Sequence, residues 1–258
     1  ISKSKIKFLK SLNFKKYRYQ HNAVILEGRR LIEQSISLNA DIKNVWFTDE
    51  ASQLNANQKL IKCIRYSKIP YDVISNKDLK YLSDTKNNQG IIAETNFNIS
   101  NQKKISKINN IVILDSIADP GNLGTILRTC AWYGIKSIIL TENTSDPYNL
   151  KCLRSALGAH FYFHGIFKMS NQNILNFISN NKYHMLCADL DGESINNIKI
   201  QNKWAVIFGS ESDGIHYDFK TFPKLSIGKL GSMESLNVSV ACGIILDQLL
   251  FTRVLKKY

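Results

Sequence analysis

The stretch 204–243 most constrains how this chain can fold, because it holds two glycine-rich turns that lead into one apolar helix. The apolar, β-branched run Trp204 to Phe208 predicts a buried strand that ends at Gly209. Ser235 or Asn237 is a suitable N-cap for the helix, so free backbone N–H groups would face the turns. This pattern favours a small-molecule site, although ordinary turns in an α/β domain explain it equally well.

A second stretch, residues 111–135, predicts a strand, a turn at residues 119–122 and a helix that carries Arg128. The turn contains neither a Walker lysine motif nor the G-x-G-x-x-G spacing of a dinucleotide-binding fold. Alternating strands and helices predict a mostly parallel sheet, with a ligand site at the carboxyl ends of its strands. The residues alone do not identify the ligand.

Together these stretches resemble the SpoU (TrmH-type) RNA ribose 2'-O-methyltransferases, members of the SPOUT class with a knotted α/β C-terminal fold. Three family motifs correspond to residues 122–129, 208–214 and 234–241. The family's D-x-Y-N run and the Arg-Ser run with its glycine that follows correspond to 146–149 and 153–158. The resemblance implies S-adenosylmethionine as the cofactor, RNA as the partner and a homodimer formed through the C-terminal domain.

The resemblance also implies which residues form the site. Arg128 is in the position of the family's proposed catalytic arginine. Because a guanidinium stays protonated, we expect it to bind a phosphate and stabilise alkoxide charge rather than act as a base. If the resemblance is set aside, Arg128 is a surface helix residue paired with an acid. The candidate catalytic residues are Asn122, Arg128, Glu211, Ser235 and Asn237, and the candidate cofactor contacts are Gly209, Ile227, Leu236 and Asn237.

The positive charge is concentrated in the first part of the chain. Residues 1–108 hold 20 Lys and Arg against 9 Asp and Glu, a net of +11, whereas residues 109–258 hold 14 against 12, a net of +2. This asymmetry predicts that the first part contacts RNA, and a lysine-rich composition is the alternative explanation. The candidate RNA contacts are Lys5, Lys7, Lys15, Lys16, Arg18 and Arg29.

Two domains are expected: an RNA substrate-binding domain at 1–104 and a methyltransferase domain at 105–258. The first resembles the L30e-like α/β domain found in many family members, with Glu27-Gly28 at a strand end and Asn88 where that domain usually has proline. The polar residues 96–110 predict a linker.

Several other classes of protein and site are disfavoured. The five cysteines form no C-x-x-C pair, so neither a zinc site nor a disulfide framework is expected, and no metal is assigned. The alternating run 159–167 predicts a strand with structural histidines at His160 and His164. No apolar run is long enough to cross a bilayer. We expect a bacterial-type cytoplasmic protein, or a mitochondrial matrix protein if a presequence has been removed from before Ile1.

The predicted function is ribose 2'-O-methylation of large-subunit ribosomal RNA, with transfer RNA as the alternative substrate. A catalytically silent RNA-binding or ribosome-assembly factor is an alternative of another class. Its support is the segment Ile227-Gly228-Lys229, where the family usually has Ile-Pro-Met. A nucleotide-binding metabolic enzyme is disfavoured by the charge of +11 on the first part.

Overall fold

The structure is a computed structural model that describes residues 1–85, 88–97, 110–195, 197–198 and 200–255, with side chains as far as Phe251. The helices are α1 (Lys3–Ser11), α2 (Lys15–His21), α3 (Arg29–Ser37), α4 (Asp49–Gln53), α5 (Gln58–Tyr66), α6 (Asn76–Leu82), α7 (Pro120–Trp132), α8 (Leu150–Ala156), α9 (Asn171–Asn180) and α10 (Val238–Leu255). The strands are β1 (Ala23–Glu27), β2 (Ile42–Phe47), β3 (Tyr71–Val73), β4 (Ile91–Asn96), β5 (Ile111–Leu114), β6 (Ser137–Thr141), β7 (Gly165–Met169), β8 (His184–Ser194), β9 (Trp204–Phe208) and β10 (Lys224–Ser226).

The chain forms two compact units. Unit 1 comprises Ile1–Ile99 and Asp146–Tyr162, and unit 2 comprises Ser100–Ser145 and Phe163–Tyr258. The segment 146–162, which the predicted division assigns to the second domain, therefore packs within unit 1. Most of the predicted linker at 96–110, including the boundary at 104/105, lies outside the described residues, and that boundary stays a prediction.

Unit 1 is built on a mixed sheet with the strand order β1-β4-β2-β3. β4 pairs antiparallel with β1 and β2, and β3 pairs parallel with β2. Successive residues of β1 enter two different buried clusters, Val24 and Leu26 on one face and Ala23 and Ile25 on the other, because side chains alternate along a strand. Helices cover both faces, which confirms the α/β architecture predicted for this part of the chain.

The segment 146–162 joins the core of unit 1 through aromatic and apolar contacts. The ring of Tyr148 stacks on Phe97 with a centroid distance of 3.9 Å. Leu153, on α8, is buried in the same cluster as Val24 and Leu26. The segment is thus part of this core rather than a loop over its surface.

Unit 2 contains a sheet with the order β10-β8-β9-β5-β6-β7, in which every neighbouring pair is parallel. All residues of β5, β6 and β9 are buried, as expected for central strands of a parallel sheet covered on both faces. The predicted parallel α/β fold and the predicted strand at 204–208 are both confirmed. Within the described ranges, no helix combines the length and the apolar character that crossing a membrane requires.

One predicted strand is wrong in its first half. Residues Ala159–Tyr162 form a turn of 3₁₀ helix, and β7 begins only at Gly165. The cause is a tertiary contact, because the His160 ring is buried and its Nε2 lies 2.6 Å from the carbonyl oxygen of Pro147. The predicted structural role of His160 fits this placement, whereas His164 is exposed.

Candidate functional site

Three polar side chains from separate parts of unit 2 form one hydrogen-bonded cluster. Asn122 lies in the first turn of α7, Glu211 in the loop after β9, and Asn237 immediately before α10. Nδ2 of Asn122 donates to Oε1 of Glu211 at 2.5 Å. Nδ2 of Asn237 donates to Oδ1 of Asn122 at 3.1 Å and to Oε1 of Glu211 at 3.3 Å. We call these three residues the amide–carboxylate cluster.

Helix capping orients two members of the cluster. Asp119 is the N-cap of α7, and its carboxylate accepts from the backbone N–H of Asn122 at 2.9 Å. Oδ1 of Asn237 accepts from the backbone N–H of Ser239 at 2.9 Å and from its hydroxyl at 2.6 Å. Of the two predicted caps of α10, Asn237 therefore has this role, and its Nδ2 is left to donate within the cluster.

A tight turn presents Glu211. The backbone groups of Ser210 and Gly214 bond to each other at 3.0 and 3.1 Å, which closes the turn. A Cβ at position 209 would lie 2.2 to 2.4 Å from backbone atoms of Gly214 and Ile215. Only glycine fits there, so Gly209 shapes the loop whether or not it also touches a ligand.

The segment after β10 has the features of a binding loop. Within the described part of the chain, the backbone N–H and C=O groups of residues 228–236 form no hydrogen bonds. Ile227 is half-buried and Leu236 is 48% exposed, so an apolar ligand surface could cover both. A Cβ built on Gly228 has no atom within 4 Å, and Lys229 is exposed. The departure from the family's Ile-Pro-Met therefore causes no steric conflict here.

Arg128 and Ser235 are not joined to the cluster. Both are exposed, and their side chains form no hydrogen bond or ion pair with any residue that the structure describes. Arg128 lies on α7 six residues beyond Asn122. The predicted alternative, in which Arg128 pairs with an acid of its own chain, has no support among these residues.

The candidate RNA contacts of unit 1 differ in their availability. Lys7, Lys15 and Lys16 are exposed. Nζ of Lys5, in contrast, lies 2.5 Å from Oε2 of the buried Glu94. Arg29 is half-buried and donates to the carbonyl oxygen of Ala56 at 3.0 Å.

Arg18 does not have the predicted placement, since it is 2% exposed. Its Nη1 donates to the carbonyl oxygens of Leu12 and Asn13 at 3.0 and 2.8 Å. Its Nη2 forms a 2.5 Å ion pair with Asp146. The prediction that Arg18 contacts RNA is therefore wrong, because these acceptors bind the guanidinium inside unit 1.

The carboxyl edge of the unit 2 sheet, where a ligand site was predicted, also holds a cavity away from the cluster. Its volume is about 310 Å³, and none of the predicted cofactor contacts lines it. The buried Asp115 accepts from the Thr141 hydroxyl at 3.0 Å and from the His216 backbone N–H at 2.7 Å. These bonds give Asp115 a structural role, so we place the functional site at the cluster and residues 227–237 instead.

Two family matches cover most of the chain. The SpoU rRNA Methylase family matches residues 109–247, which is more than half of the 258 residues. The MRM3-like substrate binding domain matches residues 3–93.

Individual proteins show the same similarity. The 23S rRNA (guanosine(2553)-2'-O)-methyltransferase RlmP of Bacillus subtilis is 28% identical over 95% of this chain and 95% of its own length. The mitochondrial rRNA methyltransferase 3 of Xenopus tropicalis is 32% identical over 64% of this chain and 40% of its own length. The crystal structure of an AdoMet-bound rRNA methyltransferase from Sinorhizobium meliloti shares the fold, with a TM-score of 0.80 at 23% identity, covering 95% of this chain and 94% of that one. The chain therefore belongs to the SpoU rRNA methylase family.

Proposed function

We propose that this protein is an S-adenosylmethionine-dependent methyltransferase that modifies a ribose 2'-hydroxyl in large-subunit ribosomal RNA. The amide–carboxylate cluster carries the proposal, because it assembles polar groups from the three family motifs in one place. The loop at residues 228–236, with its unpaired backbone groups, leads directly into this cluster at Asn237.

The residues present fit the cofactor. Free backbone donors and acceptors at 228–236 suit the polar edges of an adenosine, and Ile227 and Leu236 offer apolar surface to its ring. When bound, S-adenosylmethionine supplies an electrophilic methyl group. Gly209 allows the loop after β9 to close, which positions Glu211 for its role in the site.

The cluster positions the ribose. Oε1 of Glu211 accepts both amide donors, and its Oε2 has no partner within the described residues. Oε2 is thus free to accept a hydrogen bond from a ribose hydroxyl and to hold the nucleophilic oxygen in line. Asn122 and Asn237 keep the carboxylate fixed, so the substrate meets a preorganised acceptor.

Arg128 acts on the phosphate beside the target ribose. Its planar fork can bind a phosphate through two N–H groups, and its permanent charge stabilises an alkoxide that develops nearby. Because Arg128 has no contact with the cluster of its own chain, we assign this role across a dimer, with Arg128 completing the site of the partner subunit.

A homodimer through unit 2 is supported by apolar surface on the helices that carry the site. α7 and α10 pack together, and Tyr133 donates to Asp247 between them at 3.2 Å. Trp132 is 86% exposed, and Val240 and Phe251 are each at least half exposed on the same pair of helices. Large exposed apolar side chains on two packed helices are typical of an interaction surface. The knotted threading of this unit is part of the same proposal.

The substrate follows from unit 1 and from the relatives. The Bacillus subtilis relative is named for 2'-O-methylation of 23S rRNA, and unit 1 matches a substrate binding domain. Transfer RNA is the second candidate substrate, and a silent RNA-binding factor is the remaining alternative. We place the protein in the cytoplasm, with the mitochondrial matrix as the alternative, supported by the Xenopus tropicalis relative.

The test is a map of ribose methylation across total RNA from cells with and without the protein. We expect one 2'-O-methyl mark in large-subunit rRNA to disappear without it. Loss of a 2'-O-methyl mark in transfer RNA instead would identify transfer RNA as the substrate. An unchanged map, together with calorimetry that shows no S-adenosylhomocysteine binding at millimolar ligand, would favour the silent factor.

A further inference from the structure

The exposed face of α5 in unit 1 carries a basic and aromatic stripe distant in sequence from the lysines of α1 and α2. We define the α5 stripe as Lys59, Lys62, Arg65 and Tyr66, all exposed. Steps of three or four residues join Lys59 to Lys62, and Lys62 to both Arg65 and Tyr66, so the four side chains lie on one side of the helix. The opposite side, with Leu60, Ile61 and Ile64, is buried in the core.

The stripe is strongly positive, and no acidic residue nearby in the sequence neutralises its charge. Residues 51–71 contain four basic side chains, the fourth being Lys68, and no Asp or Glu. Neither Lys59 nor Lys62 forms an ion pair with any residue described. The charge is therefore available to an anionic partner rather than neutralised by the protein.

A neighbouring tyrosine holds the Arg65 side chain in place, whereas the ring of Tyr66 is exposed to solvent. Nε of Arg65 donates to the Tyr71 hydroxyl at 3.0 Å, and its guanidinium carbon lies 5.8 Å from the centre of the Tyr71 ring. The terminal amino groups of Arg65 have no other partner among the described residues. Tyr66, at the end of the helix, is 91% exposed, so both faces of its ring are accessible.

We propose that the α5 stripe binds an unpaired segment of the RNA substrate. Lys59 and Lys62 are about 4.5 Å apart along the helix axis and suit neighbouring phosphates, while Tyr66 offers a stacking platform for a base. Aromatic rings interleaved with cations are the pattern by which proteins hold single strands without reading their sequence. This proposal rests on the proposed function and adds a second RNA contact to that of α1 and α2.

The test measures binding of the full chain to a fluorescent twelve-nucleotide oligouridylate over a range of salt concentrations. We expect Lys59→Gln/Lys62→Gln to weaken binding and to reduce the slope of log affinity against log salt by roughly 1.4, for two phosphate contacts. The matched control is Lys77→Gln/Lys80→Gln, which removes the same charge from exposed positions of α6. If the α5 and α6 double variants show equal slopes of log affinity against log salt, the proposal is overturned, because the loss would then depend on net charge alone.

Stacking is tested separately. Tyr66→Ala should bind oligouridylate about tenfold more weakly, whereas Tyr66→Phe should match the unaltered protein. Identical affinities of Tyr66→Ala and Tyr66→Phe would remove Tyr66 from the contact. Polyglutamate that competes as well as oligouridylate would indicate an acidic protein as the partner and would also overturn the proposal.

Methyl transfer by the unaltered protein to ribosomal RNA, measured on the same preparation, separates the two proposals. Normal methyl transfer, together with α5 variants that bind RNA as well as the unaltered protein, would reject the stripe and leave the proposed function standing. RNA binding through the stripe without any methyl transfer would support the stripe and reject the proposed enzyme.

Discussion

Replacing Asn122 with aspartate tests the amide–carboxylate cluster more sharply than a truncation does. The change keeps the size of the side chain but turns the donor Nδ2, which lies 2.5 Å from Oε1 of Glu211, into an oxygen. Two carboxylates then face each other where a hydrogen bond had been. We expect Asn122→Asp to lose methyl-transfer rate while the protein stays folded.

The magnitude follows from the two interactions that change. A hydrogen bond to a charged group contributes about 1.5–3 kcal/mol. Repulsion between unit charges at 4 Å costs about 1 kcal/mol in water and about 4 kcal/mol near a protein surface. Because Glu211 is exposed, we take the lower values. The loss is then roughly 2.5 kcal/mol, or about seventyfold in rate.

The assay is single-turnover methyl transfer to unmodified large-subunit rRNA. The control is Asn122→Asp/Glu211→Gln, which exchanges donor and acceptor between these two positions. It should recover part of the lost rate rather than all of it, because Nδ2 of Asn237 then faces an amide nitrogen in place of Oε1. A double variant no faster than Asn122→Asp would refute the role of the cluster.

Four further predictions concern other parts of the molecule. Arg128→Ala should retain cofactor binding but lose about two or more orders of magnitude in transfer rate. Arg128→Lys should stay impaired, because a point charge cannot make the two-pronged contact. Near-normal turnover of Arg128→Ala would remove Arg128 from the mechanism. Trp132→Glu should shift the protein from dimer to monomer in analytical ultracentrifugation, and an unchanged mass would place the interface elsewhere. Alanine should replace the exposed N-terminal lysines Lys7, Lys15 and Lys16. The slope of log RNA affinity against log salt concentration should then become shallower by roughly 0.7–0.9 for each phosphate that is no longer bound. An unaltered slope would show that these lysines face solvent and do not contact RNA. Burial lowers the pKa of His160 from 6.5 to about 4, so as the pH falls the unfolded chain takes up a proton before the folded one does. The free energy of unfolding should therefore fall by up to about 3 kcal/mol between pH 6.5 and 4. Denaturant titrations of His160→Gln should lack this fall, and an equal fall in both proteins would contradict the assignment.

Sequence patterns predicted most of unit 2 because its signals are local. The apolar run Trp204–Phe208 is bounded by glycine, and the turn before α7 carries an N-cap followed by proline. Such features act within a few residues and need no knowledge of the rest of the fold. The site positions Asn122, Glu211 and Asn237 were predicted from three separate motifs of the family resemblance, and the structure brings their side chains together.

The features that escaped prediction depend on contacts between distant residues. Arg18 resembles the other basic residues of the N-terminal stretch, and nothing in that stretch reveals its pairing with Asp146, 128 positions away. His160 sits in an alternating pattern that predicts a strand, but its bond to the Pro147 carbonyl accompanies a helical turn instead. In both cases tertiary contact overrides a local pattern, and periodicity carries no information about it.

The most direct measurement combines the purified protein with tritium-labelled S-adenosylmethionine and unmodified large-subunit rRNA. After digestion to nucleosides, we expect the label in one 2'-O-methylated nucleoside, and Arg128→Ala should abolish it within the time of the assay. Label in a base-methylated nucleoside, or no label with a folded protein that binds the cofactor, would contradict ribose methylation as its function.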